Sequence, residues 1–276
     1  MTLLDVRDLK VAFPGRGWRA KPVEILHGVS LQVGRGECLG LVGESGSGKT
    51  TIGRAVLGLV QPSGGEIDFD GKRIDHLPVR ARRALSKDIQ VVFQDPYTSL
   101  NPSMTIGDIL AEPLVVEGAT AKDARSRVRV LLDQVGLPSN AIERLPREFS
   151  GGQRQRVAIA RALAPEPKLI VCDEPVSALD LSTQERVLDL FIEIQRATGV
   201  AYLFVSHDLS VVRHISHRVA VLYRGDLVET GPAAKVTKDP DHAYTKKLLL
   251  AAPVADPIAQ RARREERHRL AEAAAA

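Results

Sequence analysis

A glycine-rich segment between an apolar run and a helical pattern carries residue types that can bind a phosphate chain. It fits the pattern G-x-x-x-x-G-K-[ST] and reads Gly43-Glu44-Ser45-Gly46-Ser47-Gly48-Lys49-Thr50-Thr51. Glycines let successive backbone N–H groups turn inward around an anion, and the following helix adds the positive end of its dipole. Lys49 can reach the β- and γ-phosphates of a nucleotide, and the Thr50 hydroxyl can join a magnesium site. The segment therefore predicts nucleotide binding rather than a flexible Gly/Ser loop.

An acidic pair, Asp173 and Glu174, follows a second apolar run. Ligands of α/β proteins bind at the carboxyl ends of the strands, so we expect this pair to lie beside the phosphate loop. Asp173 would hold magnesium through a water molecule, and Glu174 would polarise a water against the γ-phosphate. Without the loop, an Asp-Glu pair before Pro175 would simply be the charged N-terminus of a helix.

A second anion cradle precedes this pair by 23 residues and reads Ser150-Gly151-Gly152-Gln153. A hydroxyl, backbone N–H groups and a helix dipole would meet at its helical start. One chain thus carries two candidate phosphate sites, which cannot both be redundant.

The surrounding pattern predicts the elements that must position these groups. Short, nearly continuous apolar runs favour strands buried on both faces of a parallel sheet, and they occur at Cys38–Val42, Ile89–Phe93, Leu169–Cys172, Val200–Val205 and Val219–Tyr223. Helical spacing follows at Lys49–Leu59 and Thr183–Thr198, and a helical insert of about three helices is expected over Thr105–Ala164. Alternating segments at Leu3–Val11 and Val29–Val33, and a hairpin turn at Arg224-Gly225-Asp226, predict antiparallel strands. The pattern indicates an α/β fold.

Composition excludes several classes of protein. The 276 residues carry a net charge of only +4 and 4% aromatic residues, which does not favour nucleic-acid binding. The two cysteines, Cys38 and Cys172, stand in apolar surroundings and form no cluster for zinc or iron–sulfur. No signal peptide or membrane-spanning run is present, so we expect a cytoplasmic chain whose membrane role comes through a partner.

Taken together, these motifs resemble the ATP-binding cassette (ABC) family, from about Leu3 to Pro253. The phosphate loop matches its Walker A motif, and Ser150–Gln153 its signature, which completes the ATP site of a second, head-to-tail subunit. The remaining family marks follow in order: Gln94 (Q-loop), Ser177-Ala178-Leu179-Asp180 (D-loop) and His207 (switch histidine). Phe149 departs from the leucine that members often carry before the signature.

The resemblance implies a P-loop NTPase (RecA-like) fold, with a mixed sheet, an N-terminal antiparallel β part, a helical insert and a short C-terminal extension. Residues 1–94 and 165–231 would form the nucleotide-binding core, residues 95–164 the helical signature subdomain, and residues 232–276 the extension.

The resemblance also implies roles for single residues. Glu174, His207 and Gln94 would be catalytic, and Thr50, Gln94 and Asp173 would hold magnesium. An aromatic side chain near the N-terminus would stack on adenine; Phe13 is the first candidate and Trp18 the alternative. ATP and Mg²⁺ are the expected cofactors.

Two further segments resemble the ATP-binding subunits of dipeptide, oligopeptide and nickel importers. They are Phe93–Pro102, which extends the Q-loop, and Asp239–Leu249, where Ala243 replaces a proline common in that subfamily. The subfamily implies a sister ATP-binding subunit or a homodimer, two membrane permease subunits and, indirectly, an extracytoplasmic solute-binding protein. A membrane-subunit helix is expected to dock near Asp95–Met104, which places the chain at the cytoplasmic face of the membrane. An iron–sulfur cluster, found in some relatives, is expected to be absent because no cysteines occur in the extension.

The importer ATPase competes with two other classes that share the ATP machinery. DNA-repair or chromosome ATPases carry long coiled coils or zinc modules, and translation-associated proteins carry two cassettes; neither feature is visible in these 276 residues. Di- or oligopeptides are the expected solutes, with nickel or another small solute as the alternative.

Overall fold

The computed structural model describes residues 1–15, 17 and 21–251, and the strands and helices lie in those residues. The strands are β1 (Thr2–Phe13), β2 (Val23–Gly34), β3 (Cys38–Val42), β4 (Gly64–Phe69), β5 (Lys72–Arg73), β6 (Ile89–Val92), β7 (Leu169–Asp173), β8 (Ala201–Ser206), β9 (Arg218–Tyr223) and β10 (Asp226–Pro232). The α-helices are α1 (Lys49–Val56), α2 (Val79–Ala84), α3 (Pro96–Ser99), α4 (Ile106–Val116), α5 (Ala121–Gln134), α6 (Gly151–Leu163), α7 (Leu181–Thr198), α8 (Leu209–Ile215), α9 (Ala233–Lys238) and α10 (Ala243–Ala251). Short 3₁₀ helices at Ser139–Glu143 and Pro146–Glu148 precede α6.

The strands form two sheets. An antiparallel sheet has the order β2-β1-β4-β5, and a six-stranded sheet has the order β10-β9-β3-β8-β7-β6. In the second sheet β9, β3, β8, β7 and β6 run parallel, and β10 pairs antiparallel with β9. One hydrophobic core lies between the sheets and includes Leu9 of β1, Leu41 of β3 and Ile52 of α1.

The parallel register brings the ends of four strands to one edge of the sheet. Val42 of β3 pairs with Ser206 of β8, Asp173 of β7 pairs with Val205, and Val92 of β6 pairs with Cys172. Each candidate catalytic segment begins at or just after one of these ends, as expected for an α/β ligand site. The fold therefore gathers motifs that are far apart in the sequence.

The other face of the sheet is covered by helices. Side chains of α4, α5 and α6 pack together with those of α7 in a second core, which contains Leu110, Val128, Val157 and Phe191. Phe149, the departure from the family leucine, is buried in this core. The helices expected over Thr105–Ala164 are thus confirmed, while the division of the chain into subdomains stays a prediction.

The segment that follows β10 packs against one face of β9 and β3. Ala233 and Val236 of α9 and Tyr244 of α10 share a small apolar cluster with Val42, Val219 and Val221. Residues 252–276, the last part of the expected extension, lie outside the described residues. No helix of the described residues is long and apolar enough to span a bilayer.

The sequence patterns missed some elements and misjudged others. The strands β4 and β5 and the helix α2 were not predicted, and β2 begins at Val23 rather than at Val29. The expected helix Lys49–Leu59 ends at Val56 because Gly58 turns the chain with φ = 71°. Cys38 and Cys172 are both buried free thiols, as predicted.

The hairpin between β9 and β10 lies directly against the phosphate loop. Its two turn residues, Arg224 and Gly225, join Tyr223 to Asp226. The N–H of Gly225 donates to the carbonyl of Ser47 at 3.0 Å, and its carbonyl accepts from the N–H of His27 at 3.2 Å. This hairpin therefore bonds the candidate phosphate loop on one side and β2 of the antiparallel sheet on the other.

Candidate functional site

The segment 43–48 connects β3 to α1, which is the context that a phosphate loop requires. Gly48 is the N-cap residue of α1 and has a φ of 107°, a conformation that favours glycine. Because glycine has no side chain to accept from the first N–H groups of the helix, these donors are left for a ligand. The segment thus fits an anion such as a nucleotide phosphate.

Lys49 begins α1 and reaches back over the loop. Its Nζ donates to the carbonyl oxygens of Gly43 and Glu44, both at 2.8 Å. Burial lowers the pKa of Lys49, and the nearby carboxylates of Glu174, Asp173 and Glu44 oppose that shift. The ammonium group is therefore a largely desolvated positive charge at the mouth of the loop, suited to a phosphate anion.

The Thr50 hydroxyl and Asp173 are in direct contact, although 123 positions separate them. Thr50 Oγ1 donates to Oδ1 of Asp173 at 2.9 Å. Burial raises the pKa of Asp173, and the hydrogen bond from Thr50 opposes this shift. Two oxygen ligands of the type that Mg²⁺ prefers thus converge next to Lys49. No group of three or more His, Cys, Asp or Glu side chains in the described residues could hold a metal alone, so substrate phosphates and water would have to complete a magnesium site.

Glu174 lies at the same sheet edge and pairs with His207. Nδ1 of His207 lies 2.9 Å from Oε2 of Glu174. A carboxylate can only accept, so Nδ1 must carry the hydrogen of this bond. The side chain of Glu174 is 18% exposed and that of His207 is 52% exposed, which leaves the imidazole open to an incoming group.

Gln94 follows β6 and lines a cleft of about 490 Å³ whose wall also includes Asp173, Arg54 and Arg161. Its side chain is exposed. The fold thus brings Gln94 into the same cleft as Asp173, the proposed metal ligand. Asp95, the next residue, caps α3 by accepting from the N–H of Tyr97 at 2.8 Å.

The signature segment lies in a different neighbourhood from the phosphate loop. Ser150 is the N-cap of α6, where its N–H donates to Oε1 of Gln153 at 2.9 Å and its Oγ accepts from the N–H of Gln153 at 3.3 Å. A Cβ at Gly152 would lie 2.3 Å from Cγ2 of Thr183, so α6 approaches α7 very closely. The signature therefore contacts the start of α7, the helix that follows the D-loop.

The D-loop ends at Asp180, the N-cap of α7. Its carboxylate accepts from the N–H of Thr183 at 3.0 Å and from Oγ of Ser182 at 2.8 Å. These bonds lower the pKa of Asp180 to about 2. Ser177 and Ala178 are exposed. The D-loop thus runs from the sheet edge, where Oγ of Ser177 donates to the carbonyl of Glu174 at 3.0 Å, to the start of α7, where Thr183 meets the signature.

Phe13 is the last residue of β1, opposite Val23, and its side chain is 41% exposed. An exposed ring at a strand end is available for stacking, and the adenine contact stays a prediction. The alternative, Trp18, lies outside the described residues.

Known proteins share these motifs and this geometry. The family model for ABC transporters matches residues 26–177, which is more than half of the chain and includes the phosphate loop, the signature and Asp173. The chain belongs to the ABC transporter family. The resemblance seen in the sequence is thereby confirmed.

Curated relatives extend this result beyond the family core. The chain is 53% identical over 267 residues to the glutathione import ATP-binding protein GsiA of Shigella boydii serotype 4 (strain Sb227) and to that of Escherichia coli (strain K12). Each match covers 95% of this chain and 43% of the relative. The chain thus spans less than half the length of the curated relatives that it matches.

Solved ABC cassettes share the fold. The dimeric ATP-binding cassette MJ0796, in a post-hydrolysis state bound to ADP and Pi, matches with a TM-score of 0.75 and 28% identity, covering 84% of this chain and 99% of that chain. The cassette cbiO1 from Clostridium perfringens, part of the ABC transporter complex cbiONQ, matches with a TM-score of 0.77 and 28% identity, covering 86% and 91%. The predicted mixed α/β fold of a P-loop NTPase is confirmed.

One contact of this ABC cassette was missed by the sequence reasoning. Tyr244, in α10, accepts a hydrogen bond from the N–H of Glu44 at 3.0 Å. The segment Asp239–Leu249 stands out in the sequence for its resemblance to a subfamily extension, yet nothing in its residues indicates that it reaches the phosphate loop.

Proposed function

We propose that this chain binds ATP with magnesium and hydrolyses it, as the ATP-binding subunit of an ABC importer. The observation that carries the proposal is the meeting of two hydrogen-bonded pairs, Thr50–Asp173 and His207–Glu174, beside the ammonium of Lys49. This set combines an anion site, hard oxygen ligands and a carboxylate base, which are the groups that phosphoryl transfer to water requires.

Each group has a distinct task in the proposed reaction. Lys49 and the backbone of residues 43–51 bind the phosphates, and Thr50, Asp173 and Gln94 would hold Mg²⁺. The metal, when bound, would neutralise charge on the phosphates. Glu174 takes a proton from the water that attacks the γ-phosphorus, and the bond from that phosphorus to the bridging oxygen of ADP breaks. His207 holds Glu174 in place and presents its other nitrogen outward.

Two chains are needed for a complete site in this proposal. The signature Ser150–Gln153 offers N–H groups at the start of α6, and its near neighbours are Leu179 and Thr183 rather than the phosphate loop. In a head-to-tail pair, the signature and D-loop of one cassette would close over ATP on the other. The dimeric state of the matched cassette with ADP and Pi supports such an arrangement.

The relatives support a proposal for the solute and the partners. Proteins named for glutathione import are 53% identical to this chain, and glutathione is a small peptide. We therefore propose a peptide-type solute, with two membrane permease subunits and a solute-binding protein outside the membrane. The chain would sit on the cytoplasmic side of those permeases, with either a sister cassette or a second copy as its partner.

The experiment measures nucleotide binding and turnover separately. Isothermal titration with ATP in Mg²⁺ and in EDTA should give metal-dependent binding to the isolated chain. Because the site is composite, the rate of hydrolysis should rise faster than linearly with protein concentration. Uptake of labelled glutathione, a dipeptide and nickel into vesicles that contain this chain with its permease subunits would then identify the solute. Absence of ATP binding would overturn the proposal.

A further inference from the structure

Helix α10 reaches Glu44, the residue of the phosphate loop that directly follows Gly43. The hydroxyl of Tyr244 accepts from the N–H of Glu44 at 3.0 Å, across 200 positions of sequence. The ring of Tyr244 lies against that of Tyr223, with 4.1 Å between the ring centroids and 34° between their planes. Only 8% of Tyr244 is exposed, so the side chain has a fixed position beneath the loop.

The turn that precedes α10 is fixed by a carboxylate from the sheet. Glu229 of β10 accepts from the N–H of Asp241 at 2.8 Å through Oε1 and from the N–H of His242 at 3.2 Å through Oε2. Nδ1 of His242 in turn accepts from the N–H of Tyr244 at 3.2 Å. The side chain of Glu229 therefore helps to fix the turn that leads into α10, which begins at Ala243, one residue before Tyr244.

The Glu44 residue is held on both of its backbone polar groups. Its carbonyl accepts from Nζ of Lys49 at 2.8 Å and from the N–H of Ser47 at 3.2 Å, while its N–H donates to Tyr244. The contact with Tyr244 fixes the residue whose carbonyl bonds the phosphate-binding lysine. Rotation of the backbone at this point would move the Glu44 carbonyl away from Lys49.

We propose that Tyr244 is a positioning residue that keeps the phosphate loop in its nucleotide-accepting shape, and so links the docking of the C-terminal helix to nucleotide affinity. The effect on affinity rests on the proposed function of the loop, whereas the effect on loop geometry does not. The hydroxyl is the group that positions the loop, because a phenylalanine ring would fill the same space without offering an acceptor to the Glu44 N–H. Burial raises the pKa of Tyr244, so the hydroxyl stays neutral across the physiological range.

The test compares Tyr244→Phe with Tyr223→Phe in the full chain. Both variants keep the stacked rings, but only the first removes the acceptor of the Glu44 N–H. Hydrogen exchange resolved to the Glu44 amide in nucleotide-free protein should be about three- to tenfold faster in Tyr244→Phe, the size expected for one neutral hydrogen bond. The Kd for ATP should rise by a similar factor, and the melting temperature should fall by no more than roughly 2–4 °C, the size expected for one hydrogen bond. Glu229→Ala should act in the same direction, because the turn that places Tyr244 loses its anchor.

The outcomes separate this inference from the proposed function. Unchanged exchange in Tyr244→Phe, or an equal acceleration in Tyr223→Phe, would overturn the positioning role. Faster exchange with an unchanged Kd for ATP would overturn the link to affinity. If the wild-type protein binds no ATP and exchange is still faster in Tyr244→Phe, the positioning of the loop is supported and the proposed function is overturned.

Discussion

Nδ1 of His207 lies 2.9 Å from Oε2 of Glu174, and the two residues come from the ends of neighbouring strands, β8 and β7. The bond orients the carboxylate through an N–H donor, and it leaves the second imidazole nitrogen for a ligand. An ordinary surface ion pair would contribute little to stability. The position of the pair beside Lys49 and Asp173 supports the proposed role of Glu174 as the base.

The first prediction concerns that carboxylate. Glu174→Gln keeps the size and polarity of the side chain but removes the base, so hydrolysis should fall by roughly 10²–10⁴-fold. ATP binding should persist and favour a closed dimer, detectable by gel filtration with ATP. Glu185→Gln, a carboxylate on α7 away from the sheet edge, is the matched control and should change neither quantity. Near-normal turnover in Glu174→Gln would remove Glu174 from the mechanism.

The second prediction concerns the phosphate loop. Lys49→Ala removes the ammonium that bonds Gly43 and Glu44, so the Kd for ATP should rise by roughly 10- to 100-fold, the size of one charge-assisted contact. Titration calorimetry measures this directly. Lys72→Ala, on the exposed strand β5, provides a control with the same change in net charge. If the two variants bind ATP equally well, the loop is not the phosphate site.

The third prediction concerns the composite site. In a mixture of Glu174→Gln and Ser150→Arg chains, a homodimer would place both defects in one site and leave the other site intact. ATPase activity of the mixture should then exceed that of either variant alone. Ser150 also caps α6, so circular dichroism must establish that Ser150→Arg is folded. A folded mixture with no gain in activity would point to a sister subunit rather than a second copy of this chain.

The fourth prediction concerns stability away from the site. The side chain of Asp75 is fully buried and accepts from Nε of Arg73 at 2.9 Å and from the N–H of Ile67 at 3.3 Å. Burial alone would raise its pKa, but the hydrogen bonds from Arg73 and Ile67 outweigh this effect and hold the pKa below its usual value. Its stabilising contribution is therefore present above the ordinary carboxyl pKa and is lost as the pH falls through the lower folded-state pKa.

Asp75→Asn should accordingly lower the free energy of unfolding by about 1 kcal/mol at neutral pH, or roughly 2–4 °C in melting temperature. The difference from wild type should shrink below about pH 4, because protonation then removes the charge from the wild-type residue as well. The exposed Asp133→Asn serves as the comparison, and thermal melts from pH 7 to pH 3 measure both. A difference that grows on acidification would contradict the assigned sign.

The fifth prediction concerns metals. Burial raises the pKa of Cys38 to about 12 and raises that of Cys172 well above its usual value, so neither thiol readily forms the thiolate that zinc or an iron–sulfur cluster binds. The full sequence holds no further cysteine. Elemental analysis of purified protein should therefore give far less than one iron or zinc per chain. A stoichiometric cluster would contradict this prediction and would require ligands other than these two thiols.

Much of the fold could be predicted because strands buried on both faces of a parallel sheet appear in the sequence as short, nearly continuous apolar runs. The run Cys38–Val42 is buried at every position, and its predicted bounds agree with β3. By contrast, β4 begins with two glycines and has only Ile67 and Phe69 to mark it as a strand, and β2 starts with the exposed pair Val23 and Glu24. Short or half-exposed strands take their conformation from pairing partners, which the local pattern does not reveal.

The candidate site also contains residues that could be predicted from the sequence and a contact that could not. Glu174 and His207 each follow a predicted buried strand within two residues, which is where ligand sites of α/β proteins lie, but the resemblance to the ABC family was needed to assign His207 to the site. Tyr244 and Glu44 are 200 positions apart in the chain, and their contact depends on how α10 packs against β9. No periodicity or motif spacing carries that information.

The two-residue turn at Arg224 and Gly225 has a practical consequence for engineering this chain. Gly225 bonds both Ser47 and His27, so a lengthened turn would disturb the candidate phosphate loop and the N-terminal sheet at the same time. An affinity tag, a fluorescent label or a new chain terminus placed there would therefore damage the site, although the turn looks like an ordinary surface hairpin. The exposed bend at Gly118 between α4 and α5, where an added Cβ would meet no atom within 4 Å, offers room for such an insertion.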